Sequence, residues 1–208
     1  MSGVWGILVA AGRGDRFGQP KQFCDLAGAR VVDRACALLA PACDGIVVVL
    51  PDGVAWRGPG RAVVGGATRS DSVRAGLRLV PDGAEVTVVH DAARPLASRS
   101  LLDAVVAAIR AGADAAVPAI PVPDTLKRID GTRVVATVDR ADLVAVQTPQ
   151  AFRAAALRDA HTTGGEASDD AALVEAAGGV VVVVPGDPRN IKITQPADLA
   201  VAAALLDV

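Results

Sequence analysis

The chain has no tyrosine, and only two tryptophans and three phenylalanines among its 208 residues. Single-stranded nucleic acid is held largely by stacking bases on aromatic rings, and duplexes by a basic field. With a net charge of −2 and almost no rings, a nucleic-acid partner is not expected. Long hydrophobic runs are missing too: every apolar stretch falls far below the roughly 20 residues a membrane helix needs. The opening MSGVWGILVAAG lacks the basic start and extended apolar segment of a secretion signal, so a cytoplasmic location is expected. Three cysteines, Cys24, Cys36 and Cys43, form no CxxC pair and leave one over, which suits small apolar residues in a reducing compartment. Two histidines, His90 and His161, make a zinc site an unpromising reading.

What is present is aliphatic. Hydrophobic residues make up 51% of the chain, and Ala, Val and Leu dominate them. A core of small aliphatic side chains is characteristic of layered α/β folds with buried, Val-rich strands. The length fits a single domain, 1–208, able to bury about 70% of the surface exposed when unfolded. Val-rich runs at 6–10, 45–50, 62–64, 85–90, 113–118 and 180–184 predict strands. Amphipathic patterns at 30–40, 69–79, 99–111, 150–161, 169–177 and 197–206 predict helices between and after them. That alternation is the signature of βαβ units: a mostly parallel sheet with helices on both faces. Ser100 with Asp103 has the spacing of a capping box, Ser168 opens a helix as a cap, and Pro196 suits the start of the last helix.

One segment breaks the rhythm. In TLKRIDGTRVVATV (125–138), two β-type stretches flank Asp130-Gly131, a two-residue hairpin signal. A hairpin inserted in an α/β domain has edges that something must cover. An arm of about 121–145 packing on a second subunit is expected; folding back on its own domain is the alternative.

The strongest local signal is LVAAGRGDRFGQPKQF (8–23). It follows the first strand, so the loop sits at a strand's C-terminal end, where α/β sheets bind ligands. Gly12 and Gly14 allow the backbone to approach phosphate oxygens, and Arg13, Arg16 and Lys21 add cations beside those donors. The spacing fits neither the Walker loop nor the dinucleotide fingerprint, although Asp33, about 20 residues on, leaves a dinucleotide reading open. A turn-forming glycine cluster with solvated cations is the plainer alternative.

Further segments follow in a fixed order: GGATRSDSV (65–73), VHDAARP (89–95), PDTLKR (123–128), VDR (138–140), QTPQAF (147–152) and NIKIT (190–194). Together with the glycine loop they closely resemble the 2-C-methyl-D-erythritol 4-phosphate cytidylyltransferase family of the non-mevalonate isoprenoid pathway. The resemblance spans nearly the whole chain. It implies a Rossmann-like nucleotidyltransferase fold, a homodimer with interlocking arms, CTP and a polyol phosphate as substrates, and Mg²⁺ as cofactor. It further implies that Arg16, Lys21 and Lys192 stabilise the reacting α-phosphate, and that Asp91 ligates the metal. By the same resemblance, Ala10, Ala11, Gly12, Gly14, Gly66, Ser72 and Ala92 are expected at nucleotide contacts, and Arg94, Thr125, Arg140 and Thr148 at sugar-phosphate contacts, with Thr125 and Arg140 completing the neighbouring subunit's site. Arg69 and Asp71 could form a local ion pair that orients their loop.

Three positions depart from the family pattern. Val9 replaces a proline before Ala10, Ala67 stands where some members carry Asp, and GDPRNIK separates Asp187 from Asn190, which puts a second metal-proximal carboxylate in doubt. A ribitol 5-phosphate cytidylyltransferase is the nearest rival reading. A non-catalytic nucleotide-binding module is the rival of a different class.

Overall fold

The computed structural model describes residues 3–14, 17–162 and 165–206. Its elements, in chain order, begin with β1 (Val4–Val9), a short 3₁₀ turn at Lys21–Phe23, β2 (Asp25–Leu26), β3 (Ala29–Arg30) and α1 (Val31–Leu39). Then come β4 (Gly45–Leu50), β5 (Arg61–Val64), α2 (Arg69–Leu77), β6 (Val86–Asp91) and α3 (Arg99–Arg110). The second half contains β7 (Ala115–Pro121), β8 (Leu126–Asp130), β9 (Arg133–Val138), β10 (Val144–Val146) and β11 (Gln150–Arg153). It closes with α4 (Ala154–Thr162), α5 (Asp170–Ala176), β12 (Val181–Pro185) and α6 (Ala197–Leu206).

The sheet is mostly parallel. β1 lies between β4 and β6 and runs parallel to both, β5 extends it beyond β4, and β12 runs parallel to β7. The exceptions are β11, antiparallel to β6 and β7, and β10, antiparallel to β7. Alternation along β1 sends Val4 and Leu8 to one face, where α1 and α3 pack through Val32, Leu39, Leu102 and Val105. Ile7 faces the other side, where α2, α4 and α5 pack through Val73, Leu157 and Val174. Both faces are therefore covered, as the apolar pattern predicts.

After β5, at the sheet's edge, the chain returns through α2 to place β6 on the opposite side of β1. This reversal opens a crevice outside the carboxyl ends of β1, β5 and β6, the place where open α/β sheets bind ligands. A third, smaller core decides what lines it. Phe17, Leu26 and Val31 from the segment after the glycine loop pack with Ile193 and Ala202 from the C-terminal stretch. The Ile193 N–H donates to the Ala93 carbonyl at 2.8 Å. The end of the chain is thereby pinned beside the end of β6.

Several expectations need correction. Residues 150–153 are a strand rather than the first turn of a helix: Ala151 and Phe152 are fully buried between β6 and β7, and α4 starts at Ala154. β10 and the β2–β3 ladder carried no clear signal in the sequence. The cap of α3 is Ser98, whose hydroxyl accepts from the Leu101 N–H, while Asp103 pairs with Arg99. The cap of α5 is Asp169, not Ser168. Asp130 belongs to β8, so the hairpin turn is Gly131-Thr132, with Gly131 at φ +56°. Among the described residues β8 and β9 pair only with each other, and Ile129, Val134 and Val135 are more than half exposed on the hairpin. No helix among the described residues is long and apolar enough to cross a membrane.

Candidate active site

The crevice holds a cleft of about 530 Å³. The glycine loop forms one wall, from Val9 to Gly14 with Lys21 and Gln22; Gly66–Arg69 with Ser72 form the second; Asp91–Ala93 and Lys192 form the third. Among the described residues, Arg13, Lys21, Arg69 and Lys192 put four cations on this lining against the one carboxylate of Asp91. Such a lining suits a polyanion.

Each wall has a local reason for its shape. Gly14 sits at φ +75°, and a Cβ there would overlap the Gln19 carbonyl, so only glycine fits the turn. The buried Gln22 amide donates to the Ala10 and Gly12 carbonyls at 2.8 and 2.9 Å, tying the loop to the helical turn that carries Lys21. On the second wall Thr68 and Asp71 form a reciprocal capping box at the start of α2. The Ser72 hydroxyl accepts from the Gly66 N–H at 3.2 Å and donates to the Thr68 carbonyl. Backbone groups of Gly66 and Ala67 are thus held at the rim without any bulky side chain. Ala67 has no polar side chain to offer a ligand.

Asp91, the last residue of β6, is the electrostatic centre. Lys192 Nζ donates to its Oδ2 at 2.6 Å, and Arg69 approaches its Oδ1 at 3.4 Å. Burial opposes the Asp91 charge, but Arg69 and Lys192 outweigh it and hold the carboxyl well below its ordinary range. Burial opposes the Arg69 charge as well, and Asp91 with Asp170 more than compensates, keeping the guanidinium cationic. Behind Asp91, the buried Thr148 hydroxyl accepts from the Asp91 N–H at 3.1 Å and lies 2.9 Å from His90 Nδ1. Burial pushes the His90 imidazole down to about 4.

The structure therefore brings Lys21, Lys192, Asp91, Ala10, Ala11, Gly12, Gly14, Gly66, Ser72 and Ala92 to one cleft. Arg16 lies outside the described residues. Arg94, Thr125, Arg140 and Thr148 do not line the cleft. Thr148 is buried behind Asp91, and Arg94 donates to the Asn190 and Val146 carbonyls. Thr125 and Arg140 are exposed at the root of the hairpin, where Arg140 Nη1 donates to the Pro123 carbonyl. The Arg69–Asp71 pair does not form: Asp71 pairs with Arg74, and Arg69 bridges Asp91 and Asp170. Asp33, on α1 and away from the cleft, is taken by Arg30 at the end of β3, which removes the ribose-binding acid of a dinucleotide reading. Asp187 accepts from the Arg189 N–H and does not line the cleft. Gln22 and Asp170 carry no motif of their own in the sequence: Gln22 reaches back to the carbonyls of Ala10 and Gly12, and Asp170 meets Arg69, 101 positions away in the chain, contacts that only the fold creates.

A polyanion cleft at the switch point of a mostly parallel sheet, with distal cations meeting a strand-end carboxylate, suits the class of nucleotidyltransferases. The model of 2-C-methyl-D-erythritol 4-phosphate cytidylyltransferase matches residues 4–208, and the chain belongs to that family. It is 48% identical to the Nocardia farcinica 2-C-methyl-D-erythritol 4-phosphate cytidylyltransferase, over 98% of this chain and 94% of that one. A crystal structure of the Thermus thermophilus enzyme of the same name superposes with a TM-score of 0.86 at 38% identity, covering 97% of this chain and 98% of the other. The chain is also 47% identical to a bifunctional IspD/IspF enzyme of Anaeromyxobacter dehalogenans, but spans only 57% of that protein's length.

Proposed function

We propose that this chain transfers the cytidylyl group of CTP to 2-C-methyl-D-erythritol 4-phosphate and releases pyrophosphate. A phosphate oxygen of the acceptor forms a bond to the α-phosphorus, and the bond from that phosphorus to the bridging oxygen of the β-phosphate breaks. The acceptor phosphate is already ionised, so no general base is required. The work of the protein is to bring two anions into line and to stabilise charge on the phosphoryl group being transferred. Lys21 and Lys192 are the cations for that task, and Arg16 joins them by its place in the family motif. The observation that carries this reading is the meeting of Lys21, Asp91 and Lys192 on one cleft, from three separated stretches of chain.

The donor set suits Mg²⁺ of the kind that arrives with a nucleotide. There is one ionised carboxylate, and no group of three or more His, Cys, Asp or Glu able to hold a metal among the described residues. Mg²⁺ typically uses one or two carboxylates and takes its remaining oxygens from phosphates and water. Asp91 would hold it, and the ion would offset phosphate charge. The exposed hairpin is the arm of a homodimer, through which Thr125 and Arg140 of one subunit reach the acceptor side of the other. The cytoplasm is the fitting location for a chain whose three cysteines are all unpaired.

The test is pyrophosphate release from CTP and Mg²⁺ with each acceptor in turn. Turnover with 2-C-methyl-D-erythritol 4-phosphate is expected. Turnover only with ribitol 5-phosphate would move the assignment to that rival, and none with either would leave a nucleotide-binding module.

A further inference from the structure

A line of charges runs from the cleft into the interior. Arg69, the first residue of α2, reaches two carboxylates on different elements. Its Nη1 donates to Asp170 Oδ2 at 2.7 Å, while Nε and Nη2 both approach Asp91 Oδ1 at 3.4 Å. Asp170 is fully buried, and its remaining oxygen lies 2.9 Å from His161 Nε2. A buried charge that touches no solvent is costly unless its partners are well placed. Here both oxygens are engaged, and neither faces the cleft.

The distances rank the two contacts of the guanidinium. Asp170 holds it closely and Asp91 holds it loosely. Without the inner carboxylate, Arg69 would lose its stronger partner, and its fork would settle on Asp91, whose other oxygen already carries Lys192. We propose that Asp170 is a positioning residue for the transfer reaction: it draws Arg69 back into a shared bridge, so that Asp91 keeps an oxygen available to the divalent cation that accompanies the nucleotide. His161 fixes the Asp170 carboxylate from behind. This inference rests on the reading of Asp91 as the metal carboxylate.

Asp170→Asn tests it, because the amide keeps the size and one acceptor oxygen but loses the charge. Mn²⁺ affinity in the presence of CTP, followed by electron paramagnetic resonance, is expected to weaken on the order of tenfold. Metal-free CTP binding, followed by calorimetry, is expected to hold or tighten, since the cleft gains net positive charge. A merely structural bridge between α2 and α5 would weaken both measurements or neither, and either result overturns the proposal. Should Asp170→Asn fail to fold by circular dichroism, Arg69→Lys decides. It keeps the charge, but a single ammonium cannot fork across two carboxylates. Held by Asp170, the nearer partner, it would leave the Asp91 oxygen free, so Mn²⁺ affinity is expected to rise, and unchanged or weaker Mn²⁺ affinity sinks the idea. Failure of the functional reading looks different: the unsubstituted protein would release no pyrophosphate. An active parent with unaltered Mn²⁺ binding in the variant overturns only the positioning role.

Discussion

Lys21 and Lys192 differ in how they meet the cleft. Lys192 is held on Asp91, whereas Lys21 is presented by a helical turn that Gln22 anchors to the glycine loop. Lys21→Ala is therefore expected to lower kcat by about a hundredfold or more, some 3 kcal/mol of transition-state stabilisation, with an unchanged circular-dichroism melt. A variant of near-normal kcat would remove Lys21 from the reaction. His90 makes a prediction about stability. Burial depresses its imidazole to about 4, below the ordinary 6.5, so between those values the unfolded chain binds more protons than the folded one. Stability should fall as pH drops from 6.5 towards 4, by up to about 3 kcal/mol, and this contribution should level off below. Denaturant midpoints across that range check it against His90→Gln, whose profile should lack the slope. Neither residue's environment could be read from spacing alone. The partner of His90 is Thr148, 58 positions away in the chain.

At the scale of elements, the glycine loop is the part where local sequence and structure agree most closely. The left-handed φ of Gly14 and its close approach to the Gln19 carbonyl are what a glycine in a tight phosphate-binding turn implies. Gly14→Ala would strain that backbone by about 1–2 kcal/mol and push the loop off its path. CTP affinity by calorimetry is expected to fall on the order of tenfold, while the sheet stays intact by circular dichroism. Equal affinity would show that the loop's conformation is irrelevant to the nucleotide. β11 gives the opposite lesson. Gln150–Arg153 runs directly into an Ala-rich helix, and periodicity joined the two. The four residues form a strand because an antiparallel slot between β6 and β7 buries Ala151 and Phe152, and no local preference reports such a slot. The hairpin turn lies one residue later than its dipeptide signal: Asp130 pairs with Arg133 in the ladder, which leaves the positive φ to Gly131, while the extra residue of a bulge, Val135, sits in β9.

For the whole molecule, the exposed hairpin is the unfinished surface. Ile129 and Val135 stand out from β8 and β9, which no other strand among the described residues covers. For the proposed homodimer, replacing both with Asp is expected to leave a monomer by light scattering at micromolar concentration, and to abolish turnover by withdrawing Thr125 and Arg140 from the neighbouring cleft they are proposed to complete. A monomer that keeps its activity would refute the arm's role. Local pattern alone is enough to specify the α/β class, the two-faced sheet, the position of the glycine loop and the inserted hairpin. Each of these is a local matter of period, glycine placement or turn chemistry, decided within a few residues. The meeting of Lys192 with Asp91, the diversion of Arg69 from Asp71 to Asp170, and the withdrawal of Thr148 behind the cleft were decided only in three dimensions. Those contacts join positions far apart in the chain, and a charge selects its partner by distance and burial, which packing of the third core and the crossing of β6 past β1 had first to create.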